Sequence, residues 1–139
     1  MVGLPIDPFW QRDTWSSELS LPLFAVSWGL WLALPVETFA SSHTFDAMAQ
    51  LAPELVWGVF ALLVGIVATV MPLLELRGLI LLKARFYLSM IQAAMWMFIV
   101  VMFVQANFSS TATAIYSTLT LQSIIVTVAL SARLASGRR

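Results

Sequence analysis

The sequence predicts an all-α, polytopic membrane protein in which four transmembrane helices form two helical hairpins, with both termini in the cytoplasm. Of the 139 residues, 60% are hydrophobic and only 10% are charged, and the mean hydropathy is +0.91. A soluble domain of this composition would expose large apolar patches to water. The apolar residues also fall into runs of about 20, the length with which an α-helix crosses a hydrocarbon core of about 30 Å.

The residue types exclude several classes of function. The chain has no cysteine, so disulfides, thiolate metal sites and cysteine nucleophiles are excluded. It also has no run rich in lysine and arginine and no glycine-rich phosphate loop, which argues against binding of nucleic acids and nucleotides. No cofactor is predicted.

Residues 1–18 form a polar segment, and residues 19–39 form the first predicted span. The polar segment mixes charged side chains with tryptophans, which predicts that it lies among the lipid headgroups with its charges, Glu18 included, facing water. A cleaved signal peptide is the competing interpretation. The segment is not net basic, however, and Glu37 falls where the cleavage region would be, so we favour a membrane span.

Residues 40–52 are predicted to form an outer loop with a short interfacial helix, and residues 53–74 the second span. Pro53 and Glu54 suit a helix start, because proline is pre-organised for the first turn and a carboxylate is stabilised near the positive end of the helix dipole. The loop holds the single histidine, His43, near Asp46. A metal or proton site is one interpretation, but an imidazole without a ligand-spaced partner favours a solvated loop.

Small residues recur every three or four positions on both helices of this first hairpin. Residues at these spacings share a helix face, and small side chains let two helix backbones approach closely. The sequence therefore predicts two packing faces, of which the second can receive the first. Their residues are Ala25, Gly29 and Ala33 on the first helix, and Gly58, Ala61, Gly65 and Ala68 on the second.

The second hairpin is predicted to begin with a cytoplasmic turn at residues 75–83, followed by a span at residues 84–104. Arg77, Lys83 and Arg85 should lie at a membrane surface, because a cation at the bilayer centre costs about 2.5–3.5 kcal/mol. The four apolar residues 79–82 lie between these charges. We predict that they lie flat at the same surface.

The fourth span, residues 111–132, carries hydroxyl side chains along its whole length. They share one helix face and form a stripe that consists of Thr113, Ser117, Thr120, Ser123, Thr127 and Ser131. Helix packing is the favoured interpretation, because Ser and Thr can bond the carbonyl four residues earlier and let helices approach closely. The alternative is a water-lined pore wall in an oligomer.

Two amide side chains, Gln92 and Gln122, lie near the middle of the third and fourth spans. An unpaired amide in hydrocarbon costs several kcal/mol. We therefore predict either that the two pair within one subunit or that one of them pairs between subunits.

The distribution of charge predicts the orientation. With four spans, all seven Lys and Arg residues fall on one side of the membrane, and the positive-inside rule makes that side the cytoplasm. A short basic tail, residues 133–139, adds Arg133, Arg138 and Arg139 to the turn's three cations. Their predicted role is topological.

The residues predicted to lie in the membrane offer no catalytic set. Away from the ends of the predicted spans, at membrane depth, there is no acidic or basic side chain for a proton relay, no Ser/His/Asp arrangement and no histidine pair for haem. The two halves of the chain also lack the internal repeat typical of transporters. We therefore predict a protein that is not an enzyme.

Several stretches of the first half resemble a known group of proteins. They are Trp28-Gly-Leu-Trp-Leu-Ala-Leu-Pro35, Thr38-Phe39, Ala47-Met-Ala-Gln-Leu-Ala-Pro-Glu54 and Trp57-Gly58. Together they resemble uncharacterised small membrane proteins encoded by tailed bacteriophages. The resemblance implies a phage or prophage origin and a place in the bacterial inner membrane. Holins are phage membrane proteins of this size, with few charges in their spans and a short basic cytoplasmic tail.

Two functions follow. In the first, the protein is holin-like: it forms homo-oligomers in the bilayer through its small-residue faces, and the hydroxyl stripe faces water in a permeability lesion. In the second, it is a non-catalytic accessory subunit or exclusion factor that packs against a partner membrane protein. The deep tryptophans Trp28, Trp31 and Trp96 motivate this second function.

Overall fold

The computed structural model describes residues 14–35, 37–74, 79–107 and 111–136, and every regular element within these ranges is a helix. In chain order the elements are α1 (Thr14–Ala33), α2 (Thr38–Ser41), a 3₁₀ turn (His43–Phe45), α3 (Asp46–Leu51), α4 (Glu54–Leu73), α5 (Leu79–Asn107) and α6 (Thr111–Ser136). The four long helices α1, α4, α5 and α6 form the body of the molecule.

Helices α1 and α4 form an antiparallel hairpin. Gly29 of α1 lies against Gly58 of α4, whereas Pro22, two turns earlier on α1, lies against Gly65, two turns later on α4. The segment that joins the two helices is tied to the start of α4: the backbone N–H groups of Thr38 and Phe39 donate to the Glu54 carboxylate at 3.2 and 3.1 Å. Glu54 therefore stabilises the first turn of α2, where the backbone donors lack partners within the helix.

Helices α5 and α6 form a second antiparallel hairpin. The Thr127 hydroxyl lies 3.0 Å from Ser89 Oγ near one end, and Tyr116 stacks on Trp96 at 5.8 Å nearer the other. Each hairpin is closely packed, and fewer contacts join the two hairpins to each other. The fold is therefore a pair of hairpins rather than four equally packed helices.

A connected set of aromatic rings joins the two hairpins. Neighbouring rings lie with centroids 5.0–6.3 Å apart, the range in which offset or edge-to-face contacts are favourable. Trp96 and Phe103 are fully buried within the set. Its members are Phe39, Phe45 and Trp28 from the first half of the chain, and Trp96, Phe103 and Tyr116 from the second.

Three of the described helical segments are long and apolar enough to cross a membrane: Glu54–Leu73, Leu79–Ala106 and Thr111–Ser136. Helix α1 has 20 residues, like α4, but it is not among the three. Glu18, Pro22 and four serines lower its hydropathy. Its apolar character is therefore weaker than that of the helix on which it packs.

The helix bounds differ from the predicted spans at two places. Helix α1 ends at Ala33, and the chain bends before α2 begins at Thr38, so the predicted span of residues 19–39 is not one continuous helix. At the other turn, α5 begins at Leu79. The four apolar residues 79–82 are thus the first turn of a 29-residue helix rather than a surface segment, since continuing the helix satisfies their backbone groups.

Candidate functional site

The most unusual polar feature of the bundle is a cluster of three charged side chains, the buried Glu18 and the half-buried Arg85 and Arg133, here named the Glu18 cluster. The Glu18 side chain on α1 is only 5% exposed. Arg85 of α5 donates a hydrogen bond to Glu18 Oε2, and Nη1 of Arg133 on α6 lies 3.6 Å from Oε1. The cluster therefore joins the first hairpin to both helices of the second.

A neighbouring hydrogen bond reinforces this connection. Gln122 Nε2 of α6 donates to Ser17 Oγ of α1 at 3.2 Å. The start of α1 is thus held to the second hairpin by polar side chains as well as by the aromatic set further along. Such contacts fix the register of two helices, because each polar group needs its particular partner in a low-dielectric surrounding.

The Glu18 cluster carries two positive charges and one negative charge. Two of its buried polar atoms have no hydrogen-bond partner in the described part of the chain: Glu18 Oε1, which has a longer contact with Arg133, and Arg85 Nε. Gln92 Nε2, two turns further along α5 than Arg85, is unpartnered in the same way. The cluster therefore leaves one acceptor and one donor without hydrogen-bond partners and carries a net positive charge, which is costly where the groups are shielded from water.

A small cavity lies beside the Glu18 cluster. Its polar wall consists of Glu18, Arg85, Ser89 and Gln92, and its remaining wall is apolar, with contributions from α4 such as Ala68. The cavity is partly open, with a free volume for water-sized spheres of about 20 Å³. This volume holds one or two water molecules.

The sequence interpretation placed Glu18 in water, and this was wrong. The residue lies within α1 and belongs to its buried face, because Leu21, Ala25 and Leu32 of the same face are also buried. The signal was the helical spacing: extending the small-residue face from Gly29 back through Ala25 by seven more residues reaches Glu18.

The six residues of the hydroxyl stripe have different surroundings. Thr113, Thr120 and Ser123 are buried, Thr127 is half-buried, and Ser117 and Ser131 are exposed. Thr120, Ser123 and Thr127 each donate to the carbonyl four residues earlier at 2.8 Å. Within this chain the middle of the stripe therefore lies in the packed interior, where its hydroxyls are satisfied by their own helix.

The small-residue faces of α1 and α4 lie against each other. A Cβ added at Gly29 would lie 2.6 Å from Leu62 N and 2.7 Å from Gly58 O, so only glycine allows this approach. Ala25, Ala61 and Ala68 are buried in the same interface, whereas Ala33 at the end of α1 is exposed. The two faces are thus occupied within one chain.

The remaining predicted residues are dispersed. Gln92 and Gln122 do not pair with each other, since Gln122 bonds Ser17 and the Gln92 Nε2 atom has no hydrogen-bond partner among the described residues. Trp28 and Trp96 fill the core, but Trp31 is 52% exposed on the outer side of α1.

The basic residues divide into two groups. Arg85 and Arg133 belong to the Glu18 cluster, and Lys83 is exposed on the same end of the bundle. Arg77, Arg138 and Arg139 lie outside the described residues. Arg85 and Arg133 thus make a specific buried contact besides any role in topology.

Around His43 the described residues form no cluster of metal ligands. His43 lies 3.2 Å from Asp46, and both side chains are exposed. No group of three or more His, Asp or Glu residues that could hold a metal ion occurs in the described ranges. Comparison with models of protein families, with curated proteins and with solved structures found no match to this chain.

Proposed function

We propose that the chain is a four-span protein of a bacterial inner membrane, with its amino-terminal and carboxy-terminal segments in the cytoplasm. The antiparallel packing supports this topology: Lys83, Arg85 and Arg133 all lie at the end of the bundle where α1 begins. No Lys or Arg occurs between Arg12 and Arg77 or between Arg85 and Arg133. The opposite end of the bundle is therefore free of basic residues, as the positive-inside rule requires of an outer face.

Helix α1 can cross the bilayer as a partner of α4 although its own hydropathy is modest. Its polar carboxylate is paired with arginines near one end, and its glycine face is covered by α4. The side chains that remain at its outer surface are mainly apolar. The resemblance to phage membrane proteins favours a phage or prophage origin and hence this bacterial membrane.

Within that membrane we assign the protein a non-catalytic role in assembly. The observation that carries this choice is the burial of Thr120 and Ser123, which are 5% and 0% exposed and bonded to carbonyls of α6. A holin-like lesion lined by the stripe would require α6 to leave α5. The small-residue faces proposed for oligomerisation are already occupied between α1 and α4.

The outer face of α1 is the surface that we propose for a partner membrane protein. Leu23, Phe24, Leu30 and Trp31 lie on it, and each is between 51% and 54% exposed. Aromatic side chains are enriched at the centres of protein interfaces, where they contribute large contact areas. Of the four long helices, α1 is the one that is not apolar enough over 18 residues to count as a membrane span by itself, so a protein partner suits this face.

Site-specific photo-cross-linking in bacteria tests this assignment. A photoreactive amino acid in place of Trp31 should give a cross-linked product with a second protein, because this position lies at the proposed interface. The matched control carries the same photoreactive amino acid in place of Leu63, which is 60% exposed on α4. This control should give no cross-linked product with another protein. Products that contain only copies of this chain would contradict a role with a partner protein.

The membrane potential at high expression separates assembly from permeability. The assembly role predicts that the potential is retained and that a membrane-impermeant dye stays outside the cells. A lesion lined by the stripe predicts dye entry. The double change Thr120→Leu with Ser123→Leu should then abolish dye entry. The control Thr118→Leu, which changes an exposed threonine outside the stripe, should leave dye entry unchanged. Dye entry with this pattern would favour the holin-like function over assembly.

A further inference from the structure

Three buried polar atoms belong to the wall of the cavity beside the Glu18 cluster and have no hydrogen-bond partner among the described residues. They are the acceptor Glu18 Oε1, which has a 3.6 Å contact with Arg133, and the donors Arg85 Nε and Gln92 Nε2. The Glu18 side chain is 5% exposed and Gln92 is 4% exposed. Because a buried polar atom without a partner is costly, a ligand that satisfies all three atoms is bound favourably.

The mixture of donors and acceptor in this wall selects a neutral ligand. Glu18 and Arg85 form an ion pair with each other, so their charges balance at the cavity. An anion would be repelled by the Glu18 carboxylate, and a metal cation would be repelled by the Arg85 guanidinium. The ligand that fits both accepts and donates hydrogen bonds, as a water molecule does.

The size and the remaining surface of the cavity also favour water. Its free volume of about 20 Å³ holds one or two water molecules and nothing larger. The other polar side chain in the wall is already partnered, since Ser89 Oγ lies 2.8 Å from the carbonyl oxygen of Phe86 and 3.0 Å from Thr127 Oγ1. Three polar partners remain, which is the usual number for a buried water.

We propose that ordered water binds in this cavity, where it accepts hydrogen bonds from Arg85 Nε and Gln92 Nε2 and donates to Glu18 Oε1. Glu18 belongs to α1 and the two donors belong to α5, so the water bridges the two hairpins. Gln92 lies seven residues beyond Arg85, which is about 10 Å along the helix. The water therefore extends the polar contact between the hairpins from the end of the bundle toward its middle. The proposal does not depend on the assembly role.

Transfer of magnetisation from water to side-chain N–H groups tests the proposal. The isotope-labelled protein is reconstituted in hydrated phosphatidylcholine vesicles and studied by proton-detected solid-state NMR. We expect transfer to the N–H groups of Gln92 and Arg85, because bound water lies within hydrogen-bond distance of them. The internal control is the indole N–H of Trp96, which is also buried without a hydrogen-bond partner among the described residues but does not line the cavity. It should receive no transfer.

The variant Gln92→Leu separates a hydrated cavity from a dry one by the sign of its effect on stability. With water bound, the variant removes one of the partners of the water and should lower the unfolding temperature in mild detergent by a few degrees. A dry cavity predicts a rise, because the change then removes an unsatisfied buried amide. The matched control Met90→Leu, at a 46% exposed position of the same helix, should leave the unfolding temperature nearly unchanged.

Three results would overturn the proposal. The first is the absence of transfer from water to the Gln92 amide. The second is transfer to the Trp96 indole as strong as that to Gln92. The third is an unfolding temperature that Gln92→Leu does not lower.

Discussion

Replacing Glu18 with glutamine is expected to lower the free energy of unfolding by about 3 kcal/mol. Removing one partner of a buried ion pair costs about 3–5 kcal/mol, because the remaining charge is left buried and uncompensated. The Glu18 side chain is 5% exposed and Arg85 is 18% exposed. Arg133 is 30% exposed and can turn toward water, so we expect the lower end of the range. Equilibrium unfolding of the purified protein in mild detergent measures the loss.

The matched control for Glu18→Gln is Glu37→Gln, which removes the same charge from an exposed carboxylate. This control should change the free energy of unfolding by less than about 0.5 kcal/mol. A double variant, Glu18→Leu with Arg85→Leu, should recover part of the loss, because it replaces the pair with apolar side chains. If Glu18→Gln is no less stable than Glu37→Gln, the Glu18 cluster does not hold the hairpins together.

Alanine at Gly29 or Gly65 is expected to destabilise the first hairpin by about 2 kcal/mol. A Cβ at Gly65 would lie 2.7 Å from Val26 N and 2.8 Å from Pro22 O, and the contacts at Gly29 are equally short. These are backbone atoms, so α1 must move away from α4, and overpacking of this kind costs about 1–3 kcal/mol or more. The helix propensity gained by replacing glycine, about 1 kcal/mol, offsets only part of this cost.

The three glycines of this interface provide a graded comparison. A Cβ at Gly58 would lie 3.0–3.1 Å from its nearest neighbours, so Gly58→Ala should cost less than the other two changes. Val67→Ala, on the exposed side of α4, serves as the control for a change at the lipid surface. Unfolding temperatures in the same detergent give the order of stability among the variants. If the three glycine-to-alanine variants were all as stable as Val67→Ala, α1 would not pack on α4 through this face.

The hairpins follow from local spacing, which is why they could be predicted. Small residues three and four positions apart, such as Gly58 and Gly65 with Ala61 between them, form one face on any helix. Apolar runs separated by turn residues likewise define the long helices. The predicted all-helical architecture is confirmed for the described residues. The prediction of apolar helices that are compatible with a membrane is confirmed by three of the described segments.

The Glu18 cluster was not predicted, because its partners are distant in the sequence. Glu18 and Arg85 are 67 residues apart, and local pattern cannot distinguish an arginine that marks a membrane surface from one that binds a buried carboxylate. A charged residue at the end of a helix, such as Glu18, is taken to face water unless the buried face of that helix is extended by helical spacing as far as that residue. The same reasoning explains why the partner of Gln122, Ser17 of α1, could not be predicted.

The surroundings of the hydroxyl stripe depend on tertiary packing in the same way. Its spacing predicts a continuous face, but packing and a pore wall use the same pattern. In the packed chain Thr120 and Ser123 are buried, whereas Ser117 is exposed. The structure thus supports packing for the middle of the stripe within a single chain.

The central claim is that α1 crosses the membrane together with α4, α5 and α6, which makes four spans in all. Cysteine labelling tests this claim most directly. The chain has no cysteine, so Val2→Cys, Ala40→Cys and Ser136→Cys each introduce a single thiol. We predict that a membrane-impermeant maleimide applied to spheroplasts labels only Ala40→Cys, and that the other two thiols react only after permeabilisation. Labelling of Val2→Cys in intact spheroplasts while Ser136→Cys stays protected would contradict the four-span account.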